Sequence, residues 1–136
     1  MIRADHQILE AMLSHAENCH PEESCGLLAM DESGRIRMAY PLTNSLRSST
    51  NYTIEPHEHF KALRHAEAQG WEIGGVFHSH PHSAAHPSPT DVRLAPDPEW
   101  LYVVIGMEDR PVVRGFRIIQ GQIHDEPITF EKRTRQ

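Results

Sequence analysis

His78-Ser79-His80-Pro81, followed by Pro87-Ser88-Pro89-Thr90-Asp91, is the stretch on which the reading of this chain turns. Side chains alternate along an extended strand, so His78 and His80 project from the same side of one. Ten residues lie between His80 and Asp91, enough for a loop to bring a carboxylate back to the histidine pair. That gives three nitrogen and oxygen ligands and an open fourth position, the composition of a catalytic zinc site. A structural zinc site closes the fourth position, usually with thiolates, and the chain contains no CxxC.

Ile73–His80 reads as the strand that bears the pair. Gly74, Val76, His78 and His80 share one of its faces; Ile73, Gly75, Phe77 and Ser79 share the other. Gly74-Gly75 would let another backbone pass close, and is expected to offer an edge on which an extended peptide can pair. Pro81 ends the ladder. Ser88-Pro89-Thr90-Asp91 is also a helix start, with an N-cap serine, proline at the first position and an acid at the third. Asp91 therefore has a plain capping role beside the metal one.

Other metal sites fail on the residues. There is no HExxH for a helical zinc-peptidase site. A zinc deaminase would need HxE and PCxxC, and neither occurs. Cupin-type HxH pairs have a glutamate a few residues on, whereas positions 84 and 85 here are alanines. His82 and His86 are within reach as ligands but sit on a loop, and read as its rim. Cys25 reads as core, because an unpaired cysteine in a strand behaves as a small apolar residue.

Outward from this stretch, helices and strands alternate without repeat or linker. Asp5 can cap a helix over residues 6–19 with Ile8, Leu9, Met12, Leu13 and Ala16 along one face, stopped by Pro21. Cys25–Met30 reads as a strand closed by the turn Asp31-Glu32-Ser33-Gly34, and Ile36–Pro41 and Tyr52–Ile54 as further strands. A second helix starts at Pro56 and runs through Phe60, Leu63 and Ala66 to Gly70. Trp100–Ile105 is a continuous apolar run, hence a central strand. Val112–Ile119 and Ile123–Ile128 read as a hairpin around Gln120-Gly121-Gln122. The expected class is α/β, built on one mixed or antiparallel sheet.

The 136 residues, 1–136, suit one domain with a real core. A net charge of −6 without a basic run argues against nucleic acid as a partner, and the cluster Lys132, Arg133, Arg135 reads as a tail. No apolar stretch approaches the ~20 residues of a membrane span, and no signal peptide is visible. Two cysteines, Cys19 and Cys25, are too few to staple a fold and suit a reducing cytoplasm.

Hydrolysis needs a carboxylate to carry the proton from the attacking water to the leaving amine. Glu22, Glu23, Glu55, Glu58 and Glu72 are candidates, and the residues alone exclude only Glu72. It lies about 20 Å from His78, six residues along the strand at ~3.3 Å each.

Pro21-Glu22-Glu23-Ser24-Cys25-Gly26-Leu27-Leu28, taken with HSHP and PSPTD, resembles the JAMM (MPN+) metalloproteases. That family's pattern is P-x-E-x-C-G, then H-[ST]-H-P, then P-S-x-x-D, and all of it is met. The resemblance covers residues ~2–128. It implies the cytidine-deaminase-like MPN fold, a curved mixed sheet flanked by helices. It further implies His78, His80 and Asp91 as ligands of one Zn2+ per chain, Glu23 as general base, and Ser88 as the hydroxyl that steadies the oxyanion. The absence of inserts near the site is similar to the bacterial stand-alone members that act on ubiquitin-like sulfur-carrier proteins, as are the stretches PLTNSLRSSTNYTIEP and PSPTDVRLAPDPEWLYVVI. The implied activity is hydrolysis of the amide between a carrier's Gly-Gly C-terminus and cysteine. Isopeptidases that cleave carrier–lysine conjugates are the alternative, and a homodimer is left open.

Overall fold

A computed structural model describes residues 2–95 and 97–132, so Arg133 and Arg135 of the basic tail lie outside the described residues. In chain order the elements are β1 (Ile2–Asp5), α1 (His6–Cys19), β2 (Cys25–Met30), β3 (Arg35–Leu42), α2 (Pro56–Ala68), β4 (Glu72–His80), α3 (Pro89–Leu94), β5 (Leu101–Gly106), β6 (Val112–Ile119), β7 (Gln122–Asp125) and β8 (Ile128–Glu131). The strands form one curled sheet in the order β7-β6-β5-β4-β2-β3-β1-β8. β1 runs parallel to β3 and β8, and β4 parallel to β5, while the other pairs are antiparallel.

The helices cover opposite faces of this sheet. On one, Met12 and Ala16 of α1 pack on Leu28, Phe77, Val103 and Ile105. On the other, Ala62 of α2 packs on Leu27, Val76, Tyr102 and Val104. Central strands covered on both faces need apolar residues at every position, which is why β5 is a continuous apolar run. β4 is buried from Gly75 to His80 for the same reason.

Several expectations change in detail. The segment 52–54 is not a strand; Ile54 makes only an isolated bridge to Asn44, and Tyr52 is drawn instead onto a histidine ring. The segment 123–128 divides: the hairpin strand ends at Asp125, and Ile128 begins an edge strand beside β1 at the far side of the sheet. β1 itself was not anticipated, being only four residues long. Asp5 holds the N-cap position of α1 without a side-chain cap bond, because its carboxylate accepts from Arg35 at 2.7 Å. In α2, Ala62 and Ala66 face the core, and Phe60 is left 57% exposed. Gly74-Gly75 offers no free edge: Gly75 is paired with Leu28 on β2 and with Leu101 on β5. No helix among the described residues is long and apolar enough to cross a membrane.

Two glycines permit the approaches that the site depends on. A Cβ on Gly26 would collide with the Tyr40 carbonyl and the Phe77 ring, and one on Gly106 with the backbone of Ala84 and Ala85. At Gly26 neither neighbour can yield, since one is sheet backbone and the other a fully buried ring. Gly26→Ala is expected to lower stability by about 3 kcal/mol through overpacking, read as a shift of the urea midpoint at constant slope. A loss below about 0.5 kcal/mol would show that β2 and β3 can separate at little cost.

Candidate metal centre and active site

The site lies where β4 ends and β2 begins. Cys25 is in register with His78, so the residues before Cys25 continue alongside His80. Ser79, between the two histidines, faces the other way, and its buried hydroxyl accepts from Ser24 N at 2.8 Å and Ser24 Oγ at 2.9 Å. Ser79 N donates in turn to Ser24 O at 3.1 Å. This seam fixes Glu23, the next residue back, against the histidine pair.

His78, His80 and Asp91 converge. His78 Nε2 lies 3.1 Å from His80 Nε2 and 3.0 Å from Asp91 Oδ2, and His80 Nε2 lies 3.1 Å from the same oxygen. Three ligands of a tetrahedral zinc, each about 2.0–2.1 Å from it, stand about 3.3 Å apart, so the group has the required size. His80 Nδ1 donates to Ala84 O at 3.0 Å. In the neutral ring that leaves the Nε2 lone pair aimed at Asp91 Oδ2, two acceptors facing each other as a cation between them would require. Gly106 makes the Ala84 bond accessible by letting that loop come down on β5.

Charge effects agree with the geometry. Burial opposes ionisation of Asp91, but the close His78 and His80 rings and the Ser88 amide outweigh it and hold the carboxyl well below its usual range. Burial likewise opposes an imidazolium at His80, and the Asp91 carboxylate and Ala84 carbonyl more than offset it, raising its pKa. The group favours positive charge at its centre. All three side chains present nitrogen or carboxylate oxygen, the donor set that suits zinc.

Asp91 also completes a capping box on α3. Ser88 N donates to Asp91 Oδ2 at 2.8 Å, and Asp91 N donates to Ser88 Oγ at 3.0 Å. The Ser88 hydroxyl is the acceptor in that bond, so its own proton is free to be donated elsewhere.

Glu23 is 4% exposed, and its Oε1 has no hydrogen-bond partner among the described residues. Burial raises its carboxyl to about 7, with His80 pulling the other way and Asp91 reinforcing it. The remaining glutamates are placed otherwise. Glu22 faces Arg47 at the surface, Glu55 caps α2, Glu58 accepts from Thr43, and Glu72 is exposed at the far end of β4. His82 and His86 are exposed and stand outside the His78, His80 and Asp91 group, against His20 and Phe116 respectively. Cys25 is fully buried, and burial pushes its thiol up to about 12.

Two contributors were missed in the sequence. The Tyr52 ring stacks on His78 with centroids 4.7 Å apart and 26° between planes. Asn44, 6% exposed, uses its whole amide: Nδ2 donates to Glu23 O at 3.1 Å and Asn51 O at 2.9 Å, and Oδ1 accepts from Leu46 N and Thr53 N. It ties the Glu23 backbone to the loop that carries Tyr52. A lone asparagine in a polar stretch carries no pattern that could have revealed this.

Comparison with known proteins gives a consistent picture. Residues 5–119 match the family described as prokaryotic homologues of the JAB domain. The chain is 39% identical over 131 residues, 94% of its length and 88% of the relative's, to the CysO-cysteine peptidase of Mycobacterium tuberculosis. To the desampylase of Haloferax volcanii it is 33% identical over 107 residues, 74% of this chain and 77% of that one. The solution structure of a Desulfitobacterium hafniense protein superposes with a TM-score of 0.89 at 33% identity, covering 98% of this chain and 94% of that one. A JAB1/MPN domain protein of Archaeoglobus fulgidus, at 17% identity and a TM-score of 0.62 over 95% of this chain and 99% of its own, shares the fold.

Replacing Asn44 separates its two functions. Asn44→Asp retains an acceptor for Leu46 N and Thr53 N but cannot donate to Glu23 O or Asn51 O, whereas Asn44→Ala loses all four bonds. The expected losses of stability are about 1–2 and about 3 kcal/mol, with amide exchange at residues 45–53 accelerated most in the alanine variant. Unchanged exchange there would show that the loop is held by other contacts.

Proposed function

The chain belongs to the prokaryotic homologues of the JAB domain and is a hydrolase of the JAMM type, and from that premise we propose that it is a zinc-dependent peptidase. Its substrate on this reading is a ubiquitin-like sulfur-carrier protein whose C-terminal Gly-Gly is joined by an amide to cysteine, and its products are the free carrier and cysteine. The observation that carries the chemistry is the buried Glu23 carboxyl, its Oε1 without a partner among the described residues, beside a convergent His78, His80 and Asp91. The substrate reading is supported by 39% identity over nearly the whole chain to a CysO-cysteine peptidase.

His78, His80 and Asp91 would hold the zinc. Bound there, zinc would supply a Lewis acid able to polarise the scissile carbonyl and to lower the pKa of a water to about 7. Glu23 takes the proton from the attacking water and delivers it to the leaving nitrogen; a carboxyl already raised toward neutrality by burial is matched to both halves of the transfer. The Ser88 hydroxyl, with its proton free, donates to the oxygen that becomes negative as the carbonyl turns tetrahedral. Tyr52 holds the His78 ring by stacking, and Ala84 holds His80 by its carbonyl. The acyl side of the substrate lies in a cavity of about 340 Å³ bordered by His78, Asp91, Tyr52, Leu94 and Trp100. Glycines next to the scissile carbonyl can lie flat against those rings where a side chain would hold the backbone off.

One zinc per chain is expected by elemental analysis, with most of it lost in His78→Ala, His80→Ala or Asp91→Ala; full zinc in the double histidine variant would refute the ligand set. Glu23→Gln should keep the metal and lose turnover by several orders of magnitude, and Ser88→Ala should cost about 10²–10³ in rate. If Glu22→Gln is the inactive variant and Glu23→Gln is not, the base is misassigned.

The substrate is tested with a carrier–cysteine adduct, the same carrier ending Ala-Ala, and a carrier–lysine conjugate, products being weighed by mass spectrometry. Free cysteine and an intact Gly-Gly carboxylate are expected from the first alone. Faster cleavage of the lysine conjugate would assign the chain to the desampylase-like alternative.

A further inference from the structure

We propose that Arg47 binds the α-carboxylate of the departing amino acid, in a cavity beside Glu23, and so selects an α-linked leaving group over an ε-linked lysine; this rests on the reaction proposed above. Two cavities adjoin the site. Glu23 lines the larger, of about 790 Å³, together with Glu22, Asn44, Arg47 and Lys61, whereas His78 and Asp91 line the smaller one. The proton carried by Glu23 ends on the leaving nitrogen, so the amine half departs on the Glu23 side, into the larger cavity.

That cavity holds a cation in an unusual setting. Arg47 has a φ of 50°, the left-handed region that a residue with a Cβ enters at a cost and that glycine or asparagine would occupy more easily. It is held there by Arg47 N donating to Asn44 O at 3.1 Å, and one residue on, Ser48 O accepts from Glu23 N at 2.8 Å. The turn itself has no need of an arginine, and its side chain is 80% exposed. Among the described residues the one ion pair of its guanidinium is a long contact of 3.9 Å to Glu22 Oε2, which a bidentate carboxylate would readily displace. Glu58, another acid of the cavity, is committed to Thr43 N and Thr43 Oγ1 at 2.6 and 2.8 Å. Lys61 stands on α2, without a tie to the Glu23 segment.

The substrate chemistry makes the cation informative. In a carrier–cysteine amide the carboxylate is two bonds from the scissile nitrogen. In a lysine isopeptide the same position is a methylene, and the nearest carboxyl derivative is a neutral peptide bond several atoms away. A guanidinium on this side of Glu23 therefore distinguishes the two by charge.

The test compares a carrier–cysteine adduct with a carrier–cysteinamide adduct, which differ only in that charge. Their kcat/KM is measured on the zinc-loaded protein and their Kd by calorimetry on Glu23→Gln. The acid is expected to be favoured about tenfold or more in both measurements, with the ratio falling to about one in Arg47→Ala and partly restored in Arg47→Lys. Because Arg47 is exposed, each variant is first shown to unfold at the wild-type temperature. Equal handling of acid and amide by the wild type, with cysteine still released, overturns the Arg47 assignment alone, as does an undiminished preference in Arg47→Ala. Turnover of a carrier–lysine conjugate with neither adduct cleaved overturns the functional reading and this assignment together.

Discussion

A single oxygen, Oδ2 of Asp91, anchors the arrangement on which the rest of the site depends. It accepts from the Ser88 amide and stands within 3.1 Å of both histidine Nε2 atoms. α3 is six residues long, too short to be stable by itself, so its capping box and its contact with β4 have to support it together. The carboxylate that closes the cap is thereby presented to the histidines at a fixed angle. Two weak local demands, ending a loop and starting a helix, are met by the same group that closes the triangle with His78 and His80.

β4 supplies the other half of the precision. Its faces do different work: Phe77 enters the core under α1, Val76 enters the core under α2, and the histidines emerge beyond Val76 at the end of the strand. Ser79 faces away from the site yet binds Ser24, and so transmits the register of β2 and β4 to Glu23. A one-residue slip would turn every one of these side chains to the wrong face. Gly26 protects the register from the β2 side, since nothing larger fits beneath Phe77.

The polar loop between β3 and α2 proved more structured than its composition suggested. Asn44 satisfies all four of its hydrogen-bonding positions inside it, and the loop returns Tyr52 to His78 and Ser48 to Glu23. Local pattern could not show this, because each of those bonds joins residues whose pairing depends on where β2 and β4 have already placed their ends. The same holds for Gly74-Gly75, which looks like an exposed edge in the sequence. Its place between two partner strands is a property of the sheet order.

The sequence by itself determined the helix and strand spans of the central elements, because burial on one face or both leaves a periodicity that can be read directly. α1 was placed over residues 6–19 and β2 over Cys25–Met30 as they are found. It also singled out His78, His80 and Asp91 as a group, because His-x-His in a strand and a carboxylate after a loop form a recognisable pattern, and the fold brings the three side chains together. Tertiary structure alone decided the sheet order, the parallel placement of β1 beside β8, and which glutamate lies buried beside the histidines. Those depend on pairings between residues far apart in the chain, whose energies come from packing and backbone hydrogen bonding and leave no mark on local pattern.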